Sequence, residues 1–198
     1  LVWTKDGEGF FYTRFPQPEE GAEFQSTNLN NKLYYHRVGT QQADDVLVYE
    51  RPEEPEWGFS PDLSSDGRHL VIHIWKGTDA RYRILYKDLE ESYGAPVELI
   101  DNFDQEYTFI DAEGSKLYFL SDLDAPRRRV MTLDLDHRDA APVEIIAESA
   151  DTLVGVTLVG DLLVADYLKD ARSSVRIHRL NGDFVREVEL PGIGTAGG

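Results

Sequence analysis

Turn glycines recurring at a near-constant interval limit what this chain can fold into. Gly67, Gly114 and Gly160 follow one another at 47 and 46 residues, each just ahead of a short apolar run. The flanking sequence repeats with them: "APVELI" at 95–100 returns as "APVEII" at 141–146, and "RYRILYKDL" at 81–89 as "RRRVMTLDL" at 127–135. An earlier copy begins at Gly7 in "TKDGEGFFYTRF", and the insertion "PQPEEGAEFQSTNLNN" accounts for its 60-residue distance from Gly67. Repeats of this length are single supersecondary units that bury their apolar faces only against neighbours.

Aligned on that glycine, the third to fifth following positions read Phe10-Phe11-Tyr12, Leu70-Val71-Ile72, Leu117-Tyr118-Phe119 and Leu163-Val164-Ala165. A strand with one wet face would alternate with polar residues, so three apolar residues in a row predict burial on both faces. β-Branched and aromatic residues dominate these runs, which argues against helix. Asp-Gly at 6–7 and 66–67 suits tight turns, and "KLYYHRVGTQQADDVLVYE" (32–50) reads as a hairpin. The expected class is all-β, a β-propeller of about four blades of four antiparallel strands, with a stacked β-sandwich as the alternative. Blades are expected at roughly 1–50, 57–101, 105–147 and 151–192, with a flexible tail at 193–198. Four blades are few for a closed ring. The chain also opens inside an apolar strand without an initiator methionine, so it reads as an excerpt of a larger propeller.

The formal charge of −17 (20 Lys+Arg, 37 Asp+Glu) argues against nucleic acid and membrane partners. The one basic run, "PRRRV" at 126–130, sits among aspartates and reads as a charged strand edge. There is no cysteine, hence no disulfide and no thiolate metal site. That suits a reducing compartment; a cytoplasmic location is expected, with a periplasmic one left open.

Several stretches resemble the propeller of prolyl oligopeptidases: "WTKDGEGFFYTRFPQ" (3–17), "STNLNNKLYYHRVGTQQADDVLVYE" (26–50), "LSSDGRHLVIHI" (63–74) and "LIDNFDQEYTFI" (99–110). The similarity continues more weakly through 152–182 to "VELPGIGT" (188–195). It implies a seven-bladed propeller capping an α/β-hydrolase domain that holds a Ser-Asp-His triad. By this resemblance the chain matches the central blades only.

No chemistry of its own is legible. The G-x-S-x-G elbow of that hydrolase clan does not occur; "WGFSP" at 57–61 is followed by no helix signal. His69 and His73 share a strand face at a spacing too long for a joint metal site. His36 and His178 fall on third strands of their units, and His137 in a charged loop. A calcium loop starting at Asp134 would need glycine at its sixth position and glutamate at its twelfth, where Asp139 and Ile145 stand. No catalytic residue, metal or cofactor is assigned, and the chain alone is expected to be inactive.

What the resemblance does assign is access. It implies a substrate-access loop carrying Phe15, Pro16, Gln17, Glu19, Glu20, Phe24 and Asn28, which has the Pro- and Gly-rich composition of a surface connection. It also implies a substrate pocket at Trp57 and Thr78, with Gly58 where the family has a larger side chain. The expected function is a noncatalytic cap that filters short proline-containing peptides for a serine prolyl endopeptidase. Its partners would be those peptides and the hydrolase domain of the same parent. A free-standing propeller serving as a protein-interaction platform is the alternative, and edge-to-edge self-association of the piece a further expectation.

Overall fold

The computed structural model describes residues 1–17, 28–91, 93–192 and 194. The chain divides into two compact units, Leu1–Asp104 and Gln105–Gly198. In the first, β1 (Val2–Trp3), β2 (Gly9–Arg14), β3 (Lys32–Arg37) and β4 (Val46–Glu50) form one sheet, and β5 (Trp57–Leu63), β6 (His69–Lys76), β7 (Arg83–Asp88) and β8 (Val97–Ile100) another. The second unit repeats the plan. Its sheets are β9 (Tyr107–Glu113), β10 (Lys116–Ser121), β11 (Arg129–Asp134) and β12 (Val143–Ile146), then β13 (Thr152–Val159), β14 (Leu162–Lys169), β15 (Arg172–Arg179) and β16 (Phe184–Val188). Every strand pairs antiparallel with its neighbours in sequence, so each sheet is a simple meander. Two 3-10 turns, Gln42–Asp44 and Leu135–His137, are the helical pieces among the described residues. Gly194, the one described residue of 193–198, accepts a hydrogen bond from the Ser173 N–H.

The turn glycines do the work their spacing suggested, in a connection built twice. Thr4 and Ser64 each donate a side-chain hydroxyl to the aspartate two residues on, Asp6 at 2.7 Å and Asp66 at 2.5 Å. The same carboxylates accept the N–H of Glu8 and Arg68, both at 2.9 Å. Closing the loop requires φ of +70° at Gly7 and +82° at Gly67, which only glycine adopts without strain.

In the first unit, Phe11 and Leu33 pack against Phe59, Leu70, Ile72 and Ile74 of the second sheet. In the second, Tyr118, Leu120 and Val130 pack against Leu153, Leu163 and Tyr167. The apolar triplets behave in two ways. Leu70-Val71-Ile72 and Leu117-Tyr118-Phe119 are wholly buried, as expected. Phe10, Tyr12 and Val164 are only half-buried, which corrects the expectation for the other two triplets. For Phe10 and Tyr12 the cover on that face comes from the β3–β4 connection and neighbouring rings of the same sheet, so these large side chains keep an exposed edge.

The outermost strand pair of every sheet slips in register: at Leu33/Tyr34, Ile84/Leu85, Val130/Met131 and Ile177/His178. Such bulges sharpen the right-handed twist, and the outer strands each carry a glutamate, two devices that discourage further strand addition.

Candidate functional site

Meander topology puts the connection between the second and third strands of each sheet at one end of that sheet. These connections comprise 17 residues in the first sheet (15–31), six in the second (77–82), seven in the third (122–128) and two in the fourth (170–171). The first is the outlier. Its returning stem is held at two points. Asn30 sits at φ +58° and donates its N–H to the Pro55 carbonyl at 2.7 Å. Asn31 is buried, and its side-chain oxygen accepts the N–H of Phe59 on β5 at 3.0 Å.

Alternation along β2 and β3 sends Phe11 and Leu33 into the core and leaves Phe10, Tyr12, Arg14, Lys32, Tyr34 and His36 on the opposite face. Cross-strand register pairs Phe10 with His36, Tyr12 with Tyr34 and Arg14 with Lys32. The rings form a ladder: Trp3–Phe10 at 5.0 Å, Phe10–His36 at 5.0 Å and Tyr12–Tyr34 at 5.9 Å between centroids. Arg14 caps it, with its guanidinium carbon 4.3 Å from the Tyr34 ring centre.

Asp45 ties the β3–β4 connection back onto this face. Its side chain is fully covered, accepts a short hydrogen bond from the Tyr12 hydroxyl, and lies 2.6 Å from His36 Nδ1. A carboxylate only accepts, so Nδ1 carries the proton. Gln42 adds a bond from its amide to the Tyr12 oxygen at 3.2 Å. Burial pushes the Asp45 carboxyl up, but the bonds from Tyr12 and His36 outweigh it and hold the group below its ordinary value. Burial and the neighbouring carboxylate raise Tyr12.

Replacing Asp45 with alanine strands two donors and should cost about 1–3 kcal/mol in urea unfolding. The pH sign follows from the lowered value. Stabilisation by Asp45 is complete above the unfolded pKa of about 4 and fades as pH falls through the lower folded value. Asp45→Ala should therefore lose that part of the acid limb; superimposable limbs in the two proteins would show that Asp45 does not contribute it.

Beside the ladder lies a cleft of about 640 Å³ lined by Arg14, Phe15, Pro16, Gln17, Lys32, Tyr34, Gln42 and Ala43. Phe15, Pro16 and Gln17 of the expected access loop thus line one cavity. Asn28 is exposed at the returning stem, while Glu19, Glu20 and Phe24 lie outside the described residues. The other pair is placed differently. Trp57 is buried, edge-on to Phe103 at 5.3 Å and beneath the Arg83 guanidinium at 5.0 Å, while Thr78 is exposed in the β6–β7 connection at the same end of the sheet. Gly58 is opposite Trp75 in register, and a Cβ there would fall 2.0 Å from the Trp75 ring. Trp75 thus fills the space a side chain at 58 would take. Of the histidines, His69 and His73 are buried on one face of β6 and His178 is buried on β15. Asp134 accepts from Ser115 and from the Asp136 N–H, which makes it a turn cap.

Sequence reasoning missed Arg14, Asn31 and Asp45. Arg14 was findable, because the hairpin register places it on the face of Tyr12. Asn31 and Asp45 carried no signal, since Asn31 bonds a residue 28 positions away and Asp45 joins His36, nine positions back, to Tyr12, 33 back.

Residues 1–198 match the family described as "Prolyl oligopeptidase, N-terminal beta-propeller domain". Prolyl oligopeptidase ophP of Omphalotus olearius is 33% identical over 91% of this chain and 25% of its own length. The prolyl endopeptidase of Elizabethkingia meningoseptica is 31% identical over 100% of the chain and 28% of its own. Among solved structures, prolyl oligopeptidase B of Galerina marginata, bound to a 35mer hydrolysis and macrocyclization substrate, superposes with a TM-score of 0.88. It is 27% identical over 98% of this chain and 27% of its own length. The chain therefore spans about a quarter of the length of these relatives. Four antiparallel four-stranded meanders, a family match from end to end and that structural likeness agree: the chain belongs to the prolyl oligopeptidase family and is part of its N-terminal β-propeller domain.

Proposed function

We propose that this portion of the propeller controls which peptides reach a serine prolyl oligopeptidase active site, and that the 15–31 connection is its main element of control. The observation that carries this is the length contrast: 17 residues where the other sheets use six, seven and two, with the returning stem pinned by Asn30 and Asn31. A long, proline- and glycine-bearing connection with an anchored return to the sheet suits a segment that restricts passage without loosening the sheet. The hydrolytic chemistry, attack by a serine through an acyl-enzyme, would belong to the hydrolase domain.

The test joins this chain to the remainder of a prolyl oligopeptidase and compares the intact protein with one lacking residues 18–27. Selectivity of kcat/KM for short over long proline-containing peptides should fall by about tenfold, near 1.4 kcal/mol of discrimination. An unchanged ratio across peptide lengths would remove the connection from the access pathway.

A further inference from the structure

We propose that the cleft at the base of the 15–31 connection is a carboxylate subsite, in which Arg14 receives an anionic group of a proline-containing peptide. The inference rests on the reading that peptides pass this rim, and it assigns a binding role to a residue that the family resemblance did not single out.

Arg14 is half-buried at the end of β2 and lies across the Tyr34 ring. Among the described residues no carboxylate stands within ion-pair distance of it. The nearby anions are otherwise engaged: Asp45 by Tyr12 and His36, Glu50 by Lys32 at 2.7 Å. The Tyr34 hydroxyl draws on the guanidinium and is the largest cause of its raised pKa, yet this uses only part of a five-donor fork.

Contact with the Tyr34 ring holds the guanidinium in place, and the N–H groups not turned to Tyr34 can pair with a carboxylate, for which the planar fork suits bidentate recognition. Lys32, directly opposite in register, adds a second cation shared with Glu50. Phe15 and Pro16 supply an apolar wall against which a pyrrolidine ring can pack, and Gln17 an amide. A cation with no ion-pair partner among the described residues is notable in a chain of net charge −17, whose surface otherwise repels acidic ligands. Two sources of carboxylate fit equally: the C-terminal group of a peptide ending in proline, and an acidic side chain beside an internal proline.

The experiment titrates the isotope-labelled chain with acetyl-Ala-Pro carrying a free carboxylate, acetyl-Asp-Pro-amide, and neutral acetyl-Ala-Pro-amide. Amide resonances of Lys32, Tyr34 and Gln42 report binding. At least one anionic peptide should bind about tenfold more tightly than the neutral one, and which one does so identifies the source. Arg14→Gln should reduce the anionic peptide to the neutral level, and Arg14→Lys, which keeps the charge but loses the fork, should fall between. Equal affinities for all three peptides, or an unchanged preference in Arg14→Gln with an otherwise native spectrum, overturn the assignment. Failure of peptide admission would appear separately, as an unchanged length selectivity in the 18–27 deletion.

Discussion

Replacing Leu70 with alanine is expected to remove about 2–5 kcal/mol of stability, a large fraction of what holds a domain folded. Leu70 is wholly inaccessible at the start of β6, in a cluster with Phe11 and Leu33 of the first sheet and Phe59, Ile72 and Leu85 of the second. Truncation forfeits the transfer energy of its buried methyl groups. It also leaves a hole that two interlocked sheets, each fixed by its own hydrogen bonds, close only in part. The informative control is Val46→Ala on the outer strand β4, 60% exposed, where less than about 0.5 kcal/mol should be lost. Urea unfolding of both proteins reads the difference. A Leu70→Ala loss below about 1 kcal/mol would mean that the two sheets do not interdigitate there.

The second large effect is expected at Gly182, in the β15–β16 turn. Two independent constraints meet at this atom. Its φ is +90°, a conformation that costs an L-residue about 1–3 kcal/mol. A Cβ built there would also lie 1.9 Å from the Ile145 carbonyl oxygen on β12, backbone that cannot rotate aside. Gly182 in turn presents its own carbonyl to His178 Nδ1 at 3.0 Å, so displacing the turn strands a buried ring nitrogen. Gly39→Ala separates the two constraints, because φ is +87° there but nothing stands within 4 Å of the new methyl. Gly182→Ala should lose at least about 2 kcal/mol more than Gly39→Ala, the difference being the contact of this turn with β12. Equal losses would show the turn to be strained but unpacked.

Much of the fold was legible because the same local device was written more than once. Thr4-Lys5-Asp6-Gly7 and Ser64-Ser65-Asp66-Gly67 place a hydroxyl, a carboxylate and a glycine at the same offsets, and they close the same loop. The triplets were legible in kind but not in degree, since apolar identity records what a residue tolerates rather than how much of it a neighbour covers. Phe10 and Tyr12 read like Leu70 and Ile72, yet part of their cover is a polar connection anchored by Asp45. The site was less legible for a related reason. Composition marked 15–31 as a surface connection, whereas the cleft lined by its first residues depends on cross-strand register at Arg14 and Lys32. It depends too on a 3-10 turn folding back over the sheet. At Trp57 the sequence likewise carried no sign of the packing partners, Phe103 and Arg83, which lie 46 and 26 residues on.

Because every strand bonds only to the strands before and after it in sequence, each sheet draws its ladder from one uninterrupted stretch of polypeptide. During synthesis the first sheet can zip up on its own while later residues are still inside the ribosome, with little loop-closure entropy to overcome. Its oily inner side, Phe11 and Leu33, has nothing to rest on until β5 and β6 emerge. The time residues 51–76 take to emerge from the ribosome therefore sets how long that side stays wet, and with it the window in which a nascent chain is vulnerable to sticking to its neighbours.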